Sequence, residues 1–241
     1  MSIQSDRFVA ERAPFLEYLQ GLEASWPVVS LDELIEKAGG PDRVAVLGVD
    51  LVEGFCRQGA LSSPRVTPVV GPAVRILTRA RALGIDRFLF PCDSHPVDSP
   101  EFACFPPHCL AGTSEAELVD EIRRLPFASQ FQVVPKRSVN SFVATDLAER
   151  LRAYGDLHTL VVMGDVTDLC LYHLAVNLRY LANARGLPWQ VVVPASAVAT
   201  YDLPVEAARD LGVMPHDGDL LHLVFLYHLQ LNGVRVVQDL V

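Results

Sequence analysis

Three side chains with complementary chemistry stand at the ends of segments that are predicted as strands. Asp50 ends the apolar run RVAVLGVD, Lys136 ends FQVVPK, and Cys170 closes the motif GDVTDLC. A carboxylate can accept the proton of a thiol, and an ammonium group can stabilise the resulting thiolate, so these residues favour a cysteine nucleophile. The alternative is a buried cysteine that only packs against the sheet, the usual role of an isolated thiol.

Cys170 lies near the start of a predicted helix, with Thr167 or Asp168 as its N-cap. The positive end of a helix lowers the pKa of a nearby thiol. This position therefore predicts a reactive thiol that faces the edge of the sheet.

A second group of reactive residues lies in FPCDSHPVDSPEFACFPPHCLAGT, residues 90–113. Asp93 and His95 follow a predicted strand, and Glu101 and His108 lie in the proline-rich loop beyond it. Imidazoles and carboxylates are ligands for Zn²⁺, Mn²⁺ or Fe²⁺, and with waters completing the sphere they leave a position for substrate. The alternative is a polar loop with His108 hydrogen-bonded at a turn, because the spacing is not that of a zinc finger.

The cysteines do not predict a disulfide framework or a structural zinc site. The chain has five of them, an odd number at irregular spacing: Cys56, Cys92, Cys104, Cys109 and Cys170. No CxxC pair occurs, and a reducing compartment keeps thiols free. Apart from Cys170, we expect them to be packing residues.

Apolar runs typical of buried strands alternate with helical patterns along most of the chain. The predicted strands span residues 43–50, 86–92, 131–136, 158–164, 189–195 and 234–238. The predicted helices between them span residues 68–83, 114–125, 142–155, 168–186 and 216–233. This alternation predicts an α/β fold with a doubly wound, mostly parallel sheet, in which ligands bind beyond the carboxyl ends of the strands.

The first residues form a separate pattern, and we interpret residues 1–41 as a helical N-terminal extension and 42–241 as the main domain. Residues 6–22 have a helical pattern interrupted near Pro14. The segment 30–40 has Ser30 as N-cap, Glu33 as the partner in a capping box, and a glycine pair as the stop.

Composition limits the function classes. The net charge is −9 and the pI about 5.2, which argues against binding to nucleic acid or anionic lipid. The sequence has no apolar run of about 18 residues and a charged N-terminus, so it predicts neither a membrane span nor a signal peptide. We expect a soluble cytoplasmic protein.

Four motifs together resemble the isochorismatase-like cysteine hydrolases over residues 43–238: VDLVEGFCRQGAL, DSHPVDSPEFACFPPHCLAGT, KRSVNSFVATDL and GDVTDLC. The element FPPHC-x-x-GT is similar to that of the nicotinamidase-like members. The resemblance implies a catalytic triad of Asp50, Lys136 and Cys170. It implies metal ligands at Asp93, His95, Glu101 and His108. It also implies that Phe55 and Phe105 hold the substrate ring, and that the backbone N–H groups of Val166 and Cys170 form an oxyanion hole beside a cis peptide between Asp165 and Val166.

The implied reaction is hydrolysis of nicotinamide to nicotinate and ammonia through a thioester. The implied cofactor is one divalent metal ion, Zn²⁺ before Mn²⁺ or Fe²⁺, and the family relationship implies a homo-oligomer. One alternative is an amidohydrolase for another small amide, such as a carbamoyl or ureido compound. Another is a non-catalytic ligand-binding or interaction module on the same fold.

Three features depart from the family pattern. The common motif D-x-Q-N-D-F is DLVEGF here, and Asp165 replaces an apolar residue before the oxyanion-hole amide. The segment PKRSVNSF keeps Lys136, Ser141 and Phe142 but differs between them. Each could change the substrate or slow the reaction. His216, His222 and His228 in the C-terminal segment receive no chemical role from the sequence.

Overall fold

The computed structural model describes residues 3–241, with side chains from Arg7 onward; the first two residues of the predicted extension lie outside the described residues. The strands are β1 (Val28–Val29), β2 (Val44–Val49), β3 (Phe88–Asp93), β4 (Phe131–Lys136), β5 (Thr159–Asp165), β6 (Gln190–Pro194), β7 (Val198–Ala199), β8 (Arg235–Val237) and β9 (Asp239–Leu240). The helices are α1 (Ile3–Ser25), α2 (Leu31–Ala38), α3 (Glu53–Cys56), α4 (Val70–Ala82), α5 (Asp120–Arg123), α6 (Leu147–Ala153), α7 (Cys170–Arg185), α8 (Val205–Leu211) and α9 (Gly218–Leu231).

The central sheet has the order β4-β3-β2-β5-β6-β8, with β7 paired to the end of β5, and every pairing is parallel. This confirms the predicted doubly wound α/β fold. The chain builds β2, β3 and β4 toward one edge and then returns to place β5 on the other side of β2. The switch point is therefore between β2 and β5, where open α/β sheets bind their ligands.

Both faces of the sheet are covered by apolar side chains, which explains why its inner strands are continuous apolar runs. Alternate residues of β2 point to opposite faces. Val44 and Val46 pack in the core under α2 and α4, whereas Ala45 and Leu47 pack in the core under α7 and α9. The strand ends are thereby held rigidly, so the side chains that follow them have fixed positions.

The N-terminal segment is tied to the C-terminus of the chain. Strand β1 pairs in parallel with β9, and α1 packs against α9. The predicted cap of α2 is confirmed, because Ser30 Oγ accepts a hydrogen bond of 3.1 Å from the Glu33 N–H. The predicted interruption at Pro14 is wrong. Helix α1 continues through it, since a proline removes one backbone donor without always ending a helix.

Some predicted helices are shorter than their patterns. The segment 114–125 forms only a 3₁₀ turn and the single-turn α5. Its middle part pairs with the chain after β2: the Glu53 N–H donates to Glu117 O, and the Val119 N–H donates to Leu51 O. These long-range bonds override a local helical preference. Helix α6 likewise begins only at Leu147, and α8 was not predicted.

Gly164 lets β5 lie against the end of β2. Its φ is +116°, and a Cβ built there would lie 2.0 Å from the Val49 carbonyl oxygen, a backbone atom that cannot move aside. Gly164→Ala is therefore expected to lower the free energy of unfolding by about 3 kcal/mol or more, measured by urea unfolding. Gly155→Ala is the matched control: its φ is +71° with open space around it, so we expect a loss of about 1 kcal/mol. Equal losses would show that the contact with Val49 is unimportant.

Candidate active site

The structure brings the predicted triad together at the carboxyl edge of the sheet. Asp50 follows β2, Lys136 ends β4, and Cys170 is the first residue of α7. Lys136 Nζ lies 2.8 Å from Asp50 Oδ2 and 3.4 Å from Cys170 Sγ. All three side chains are buried. A thiol, a carboxylate and an ammonium group are thus in mutual reach in a water-poor environment.

Lys136 also contacts Asp93, so it lies between two carboxylates. Its Nζ lies 2.6 Å from Asp93 Oδ1, and Asp50 Oδ1 accepts a hydrogen bond of 2.8 Å from the Asp93 N–H. Burial alone would lower the pKa of Lys136, but the charges of Asp50 and Asp93 outweigh it and hold that pKa well above its usual range. The lysine is therefore a fixed cation.

The pKa shifts of Asp50 and Cys170 suit a base and the thiol that it deprotonates. Burial, reinforced by the charge of Asp93, raises the pKa of Asp50 to about 6. Burial also raises the pKa of the Cys170 thiol well above its usual value, although Lys136 opposes the shift. The expected lowering by the helix end is thus outweighed by burial. A protonated thiol needs a base beside it, and Asp50 occupies that place.

The predicted N-caps of α7 are wrong. Leu169 occupies the N-cap position, and no side chain caps the helix. We define the oxyanion turn as residues 166–169. Its carbonyl at Val166 accepts from the N–H groups of Leu169 and Leu171, and the peptide between Asp165 and Val166 is cis. Within residues 3–241, the backbone N–H groups of Val166 and Cys170 donate to no acceptor, so both are available for an oxyanion.

Three of the four predicted metal ligands form one cluster. In Asp93, His95 and His108 the potential ligand atoms all lie within 4.8 Å of one another. His108 Nδ1 lies 2.8 Å from the Pro106 carbonyl and must donate to it, so Nε2, which lies 3.6 Å from Asp93 Oδ2, is the nitrogen that can bind a metal. His95 Nε2 is buried without a hydrogen-bond partner in the described part of the chain. A buried, unpartnered imidazole nitrogen beside a carboxylate fits a divalent metal ion.

Glu101, the fourth predicted ligand, is half-buried in the same loop but is not part of that cluster. Burial and the charge of Asp93 raise the pKa of its carboxyl group, which places it near the same centre. Its role as a ligand remains a prediction.

Aromatic rings surround His108. The ring centroids of Phe55 and Phe105 lie 5.7 and 6.2 Å from that of His108. Phe102, which the sequence analysis did not select, lies 5.5 Å from His95 and 5.6 Å from His108. In the sequence, only the position of Phe102 within residues 90–113 indicated a place at the site.

The altered motif DLVEGF has a packing explanation. A Cβ on Gly54 would lie 2.6 Å from Cys109 Sγ and 2.9 Å from the Glu115 carbonyl oxygen, so α3 approaches the loop of residues 90–113 too closely for a larger residue. Glu53 accepts a hydrogen bond of 3.1 Å from the Asp120 N–H. Gly54 therefore lets α3 lie close to Cys109 of that loop, whereas Glu53 ties α3 to the first residue of α5.

Asp165 is buried at the end of β5, on the side of the sheet away from α7. Its Oδ2 lies 3.9 Å from Cys56 Sγ, and its Oδ1 has no hydrogen-bond partner among the described residues. Burial, followed by the charge of Asp50, raises the pKa of Asp165 well above its usual value. Burial therefore favours the neutral form of this carboxyl group.

His222, for which the sequence indicated no role, bonds to the oxyanion turn. Its Nδ1 lies 2.8 Å from Thr167 Oγ1. Burial lowers the pKa of His222 to about 4; Arg65 adds to this, while Asp168 and Asp219 oppose it.

The lowered pKa of His222 predicts a pH-dependent stability. The unfolded chain binds a proton at His222 below about pH 6.5 while the folded chain does not, so the free energy of unfolding falls as the pH falls toward 4. Between pH 7 and 5 we expect this histidine to account for a loss of about 2 kcal/mol. Urea unfolding at both pH values measures it, and His222→Gln should have a smaller loss. An unchanged loss in the variant would contradict the assignment.

Comparisons with known proteins show which family and which solved structures this chain resembles. The model of the isochorismatase domain matches residues 44–212. Nicotinamidase 1 from Arabidopsis thaliana is 29% identical over 211 residues, covering 82% of this chain and 86% of that protein. The structure of nicotinamidase PncA from Bacillus subtilis is 26% identical with a TM-score of 0.62, covering 81% of this chain and 99% of that one. The structure of N-carbamoylsarcosine amidase from Thermoplasma acidophilum is also 26% identical, with a TM-score of 0.61, covering 81% of this chain and 96% of that one.

Within the described residues, no helix has both the length and the apolar character needed to cross a membrane.

Proposed function

The chain belongs to the isochorismatase family, as its motifs predicted, and on that premise we propose that it is a nicotinamidase, hydrolysing nicotinamide to nicotinate and ammonia. The predicted enzyme class, a hydrolase of amide bonds, is confirmed by the family and its amidase relatives. The observation that carries the specific proposal is the cluster of Asp93, His95 and His108 adjoining the triad through Lys136. A site with a metal ion beside the nucleophile suits an amide attached to a ring with a donor nitrogen.

The reaction begins with proton transfer from Cys170 to Asp50. Lys136, 3.4 Å from the sulfur, stabilises the thiolate as it forms. The thiolate then attacks the carboxamide carbon, so that an Sγ–C bond forms and the carbonyl electron pair moves onto oxygen. The free N–H groups of Val166 and Cys170 would hold this oxyanion, and such preorganised donors supply a large share of catalysis in acyl transfer.

Collapse of the tetrahedral intermediate breaks the C–N bond. Asp50 gives its proton to the nitrogen, and ammonia leaves. A water molecule then adds to the thioester and gives a proton to Asp50. The C–S bond breaks, the proton on Asp50 returns to the sulfur, and the product leaves as nicotinic acid, whose proton passes to solvent or ammonia to give nicotinate and ammonium. Atoms and protons balance over the cycle, and the triad is regenerated.

Asp93, His95 and His108 are the residues that would hold a divalent metal, with Glu101 as the proposed fourth ligand and Zn²⁺ as the favoured ion. When bound, the ion would act as a Lewis acid that orients the substrate. Lys136 offsets the charge of Asp93 and so connects this centre to the triad. Phe55 and Phe105, whose rings lie around His108, would contact the two faces of the pyridine ring.

The similarity to N-carbamoylsarcosine amidase favours a second candidate, hydrolysis of a carbamoyl compound. Both reactions use the same triad and differ in what lies beyond the carbonyl group. A ring nitrogen that could reach the histidine cluster distinguishes nicotinamide from a carbamoyl amine and from benzamide.

Ammonia release from nicotinamide, benzamide and N-carbamoylsarcosine tests the proposal. We expect turnover of nicotinamide, with benzamide and N-carbamoylsarcosine much poorer. Protein treated with a chelator should lose activity on nicotinamide and regain it when Zn²⁺ is added. No ammonia from nicotinamide with metal-loaded protein would overturn the proposal, and turnover of N-carbamoylsarcosine alone would establish the second candidate.

A further inference from the structure

The oxyanion turn is held by the C-terminal part of the chain through both of its polar side chains. Asp168 accepts from Thr200 Oγ1 at 2.5 Å, and its Oδ2 lies 2.8 Å from His216 Nε2. Thr167 bonds to His222 through its hydroxyl and donates its N–H to the Ala199 carbonyl at 2.9 Å. Four contacts therefore hold a turn of four residues that begins and ends beside the proposed oxyanion donors.

The hydrogen bonds of His216 and Asp168 determine their shared protonation. His216 Nδ1 lies 2.9 Å from the Tyr201 carbonyl, which can only accept, so Nδ1 carries a hydrogen. A carboxylate also only accepts, so a second proton must lie between His216 Nε2 and Asp168 Oδ2. Both side chains are buried. The contact is therefore a charge-assisted or acid–imidazole hydrogen bond, stronger than a bond between two neutral groups.

His216 is itself held rigidly. Its backbone exchanges two hydrogen bonds with Leu203, of 2.7 and 2.9 Å, and its ring stacks on Tyr201 at a centroid distance of 3.8 Å. Gly218 permits this packing, because a Cβ there would lie 2.6 Å from the Tyr201 carbonyl oxygen. Because the His216 ring has so little freedom, its hydrogen bond also restricts the position of the Asp168 carboxyl group, two residues before the nucleophile.

We propose that Asp168 and His216 are a positioning pair that aligns the oxyanion turn, and thereby the Val166 and Cys170 N–H groups, for the transition state. This inference deepens the proposed function and rests on it for its kinetic readout. Neither residue contacts the reacting atoms; the pair acts through the backbone. An error of about 1 Å in such an alignment can reduce the rate about 100-fold.

The kinetic test compares substitutions that abolish the contact with one that preserves a hydrogen bond. In His216→Ala and Asp168→Ala we expect kcat to fall about 100-fold, with KM little changed. In Asp168→Asn the amide N–H can donate to a neutral His216, so its activity should lie well above that of Asp168→Ala. Equal loss in the asparagine and alanine variants would overturn the pairing. His158→Ala is the matched control: His158 bonds to Thr159 at 3.0 Å, at the opposite end of β5, and its kcat should equal that of the wild type.

A binding test separates alignment from general damage. Pyridine-3-carboxaldehyde adds to a thiol to form a tetrahedral adduct whose oxygen occupies the oxyanion hole, whereas nicotinate binds without an adduct. His216→Ala and Asp168→Ala should lose affinity for the aldehyde about tenfold or more while keeping their affinity for nicotinate. Parallel loss of both affinities would indicate a structural role only and would overturn the proposal.

Hydrogen exchange provides a readout independent of the substrate. Peptides covering residues 164–171 should exchange faster in His216→Ala and Asp168→Ala than in the wild type, in Asp168→Asn and in His158→Ala, with the other strands of the sheet unchanged. If the wild type does not hydrolyse nicotinamide, the proposed function fails, and the exchange data still decide whether the pair holds the turn. Unchanged hydrogen exchange in residues 164–171 would overturn the proposal that Asp168 and His216 are a positioning pair.

Discussion

Cys170→Ala is expected to reduce ammonia release from nicotinamide by at least about 10⁴-fold while leaving the fold intact. The thiol is the only proposed nucleophile, and Asp50 and Lys136 have no bond-forming role without it. The change removes one sulfur atom from a side chain that is 7% exposed, so the free energy of unfolding should change by about 1 kcal/mol or less. Single-turnover ammonia release and urea unfolding measure the two effects.

Cys92→Ala is the matched control for this loss. Cys92 is also a buried thiol, on β3 beside Asp93, and burial raises its pKa well above the usual value. Cys92 takes no part in the proposed reaction, so Cys92→Ala should retain most of the wild-type activity. Activity that survives Cys170→Ala would refute the thioester mechanism, whatever the substrate proves to be.

The convergence of the triad could be predicted because parallel strands end at one edge. Asp50, Asp93 and Lys136 each follow a run of apolar residues, and the length of such a run determines where its strand ends. It is enough that these parallel strands are neighbours: β4 lies at the edge of the sheet, yet its carboxyl end lies beside those of β3 and β2.

The partners of the oxyanion turn could not be predicted, because they lie far away along the chain. Asp168 and His216 are separated by 48 residues, and no periodic pattern connects them. A local rule instead predicted Thr167 or Asp168 as a helix cap. Long-range bonds to His222 and His216 compete for the same side-chain oxygens and prevail in the structure.

The predicted direction of the Cys170 pKa shift was also wrong, because burial, which the sequence does not reveal, raises this pKa. A helix end stabilises a charge by about 0.3–1 kcal/mol when exposed. Removing a thiolate from water costs more, so desolvation dominates and raises the pKa of Cys170. The location of the thiol was predictable, whereas its protonation state depended on the packing around it.

Lys136→Met is expected to lower the free energy of unfolding by about 3–5 kcal/mol and to abolish activity. The ammonium group lies 2.8 Å from Asp50 and 2.6 Å from Asp93, and the lysine side chain is fully buried. Methionine has a similar length and fills the space, so the packing loss is small. The loss of stability would come from two buried carboxylates left without their cation. Urea unfolding of metal-free protein measures it, because a bound ion would offset part of the charge.

The double variant Lys136→Met with Asp50→Asn separates charge from packing. If unpaired negative charge causes the instability, removing one of the two carboxylates must restore part of the free energy of unfolding. Activity must stay absent, since the asparagine cannot accept the proton of Cys170. A double variant no more stable than Lys136→Met would mean that unpaired negative charge does not cause the instability, because the asparagine oxygen can still accept from the Asp93 N–H and only the charge has been removed. Lys136 would then be a catalytic cation with little role in holding the two carboxylates in the fold.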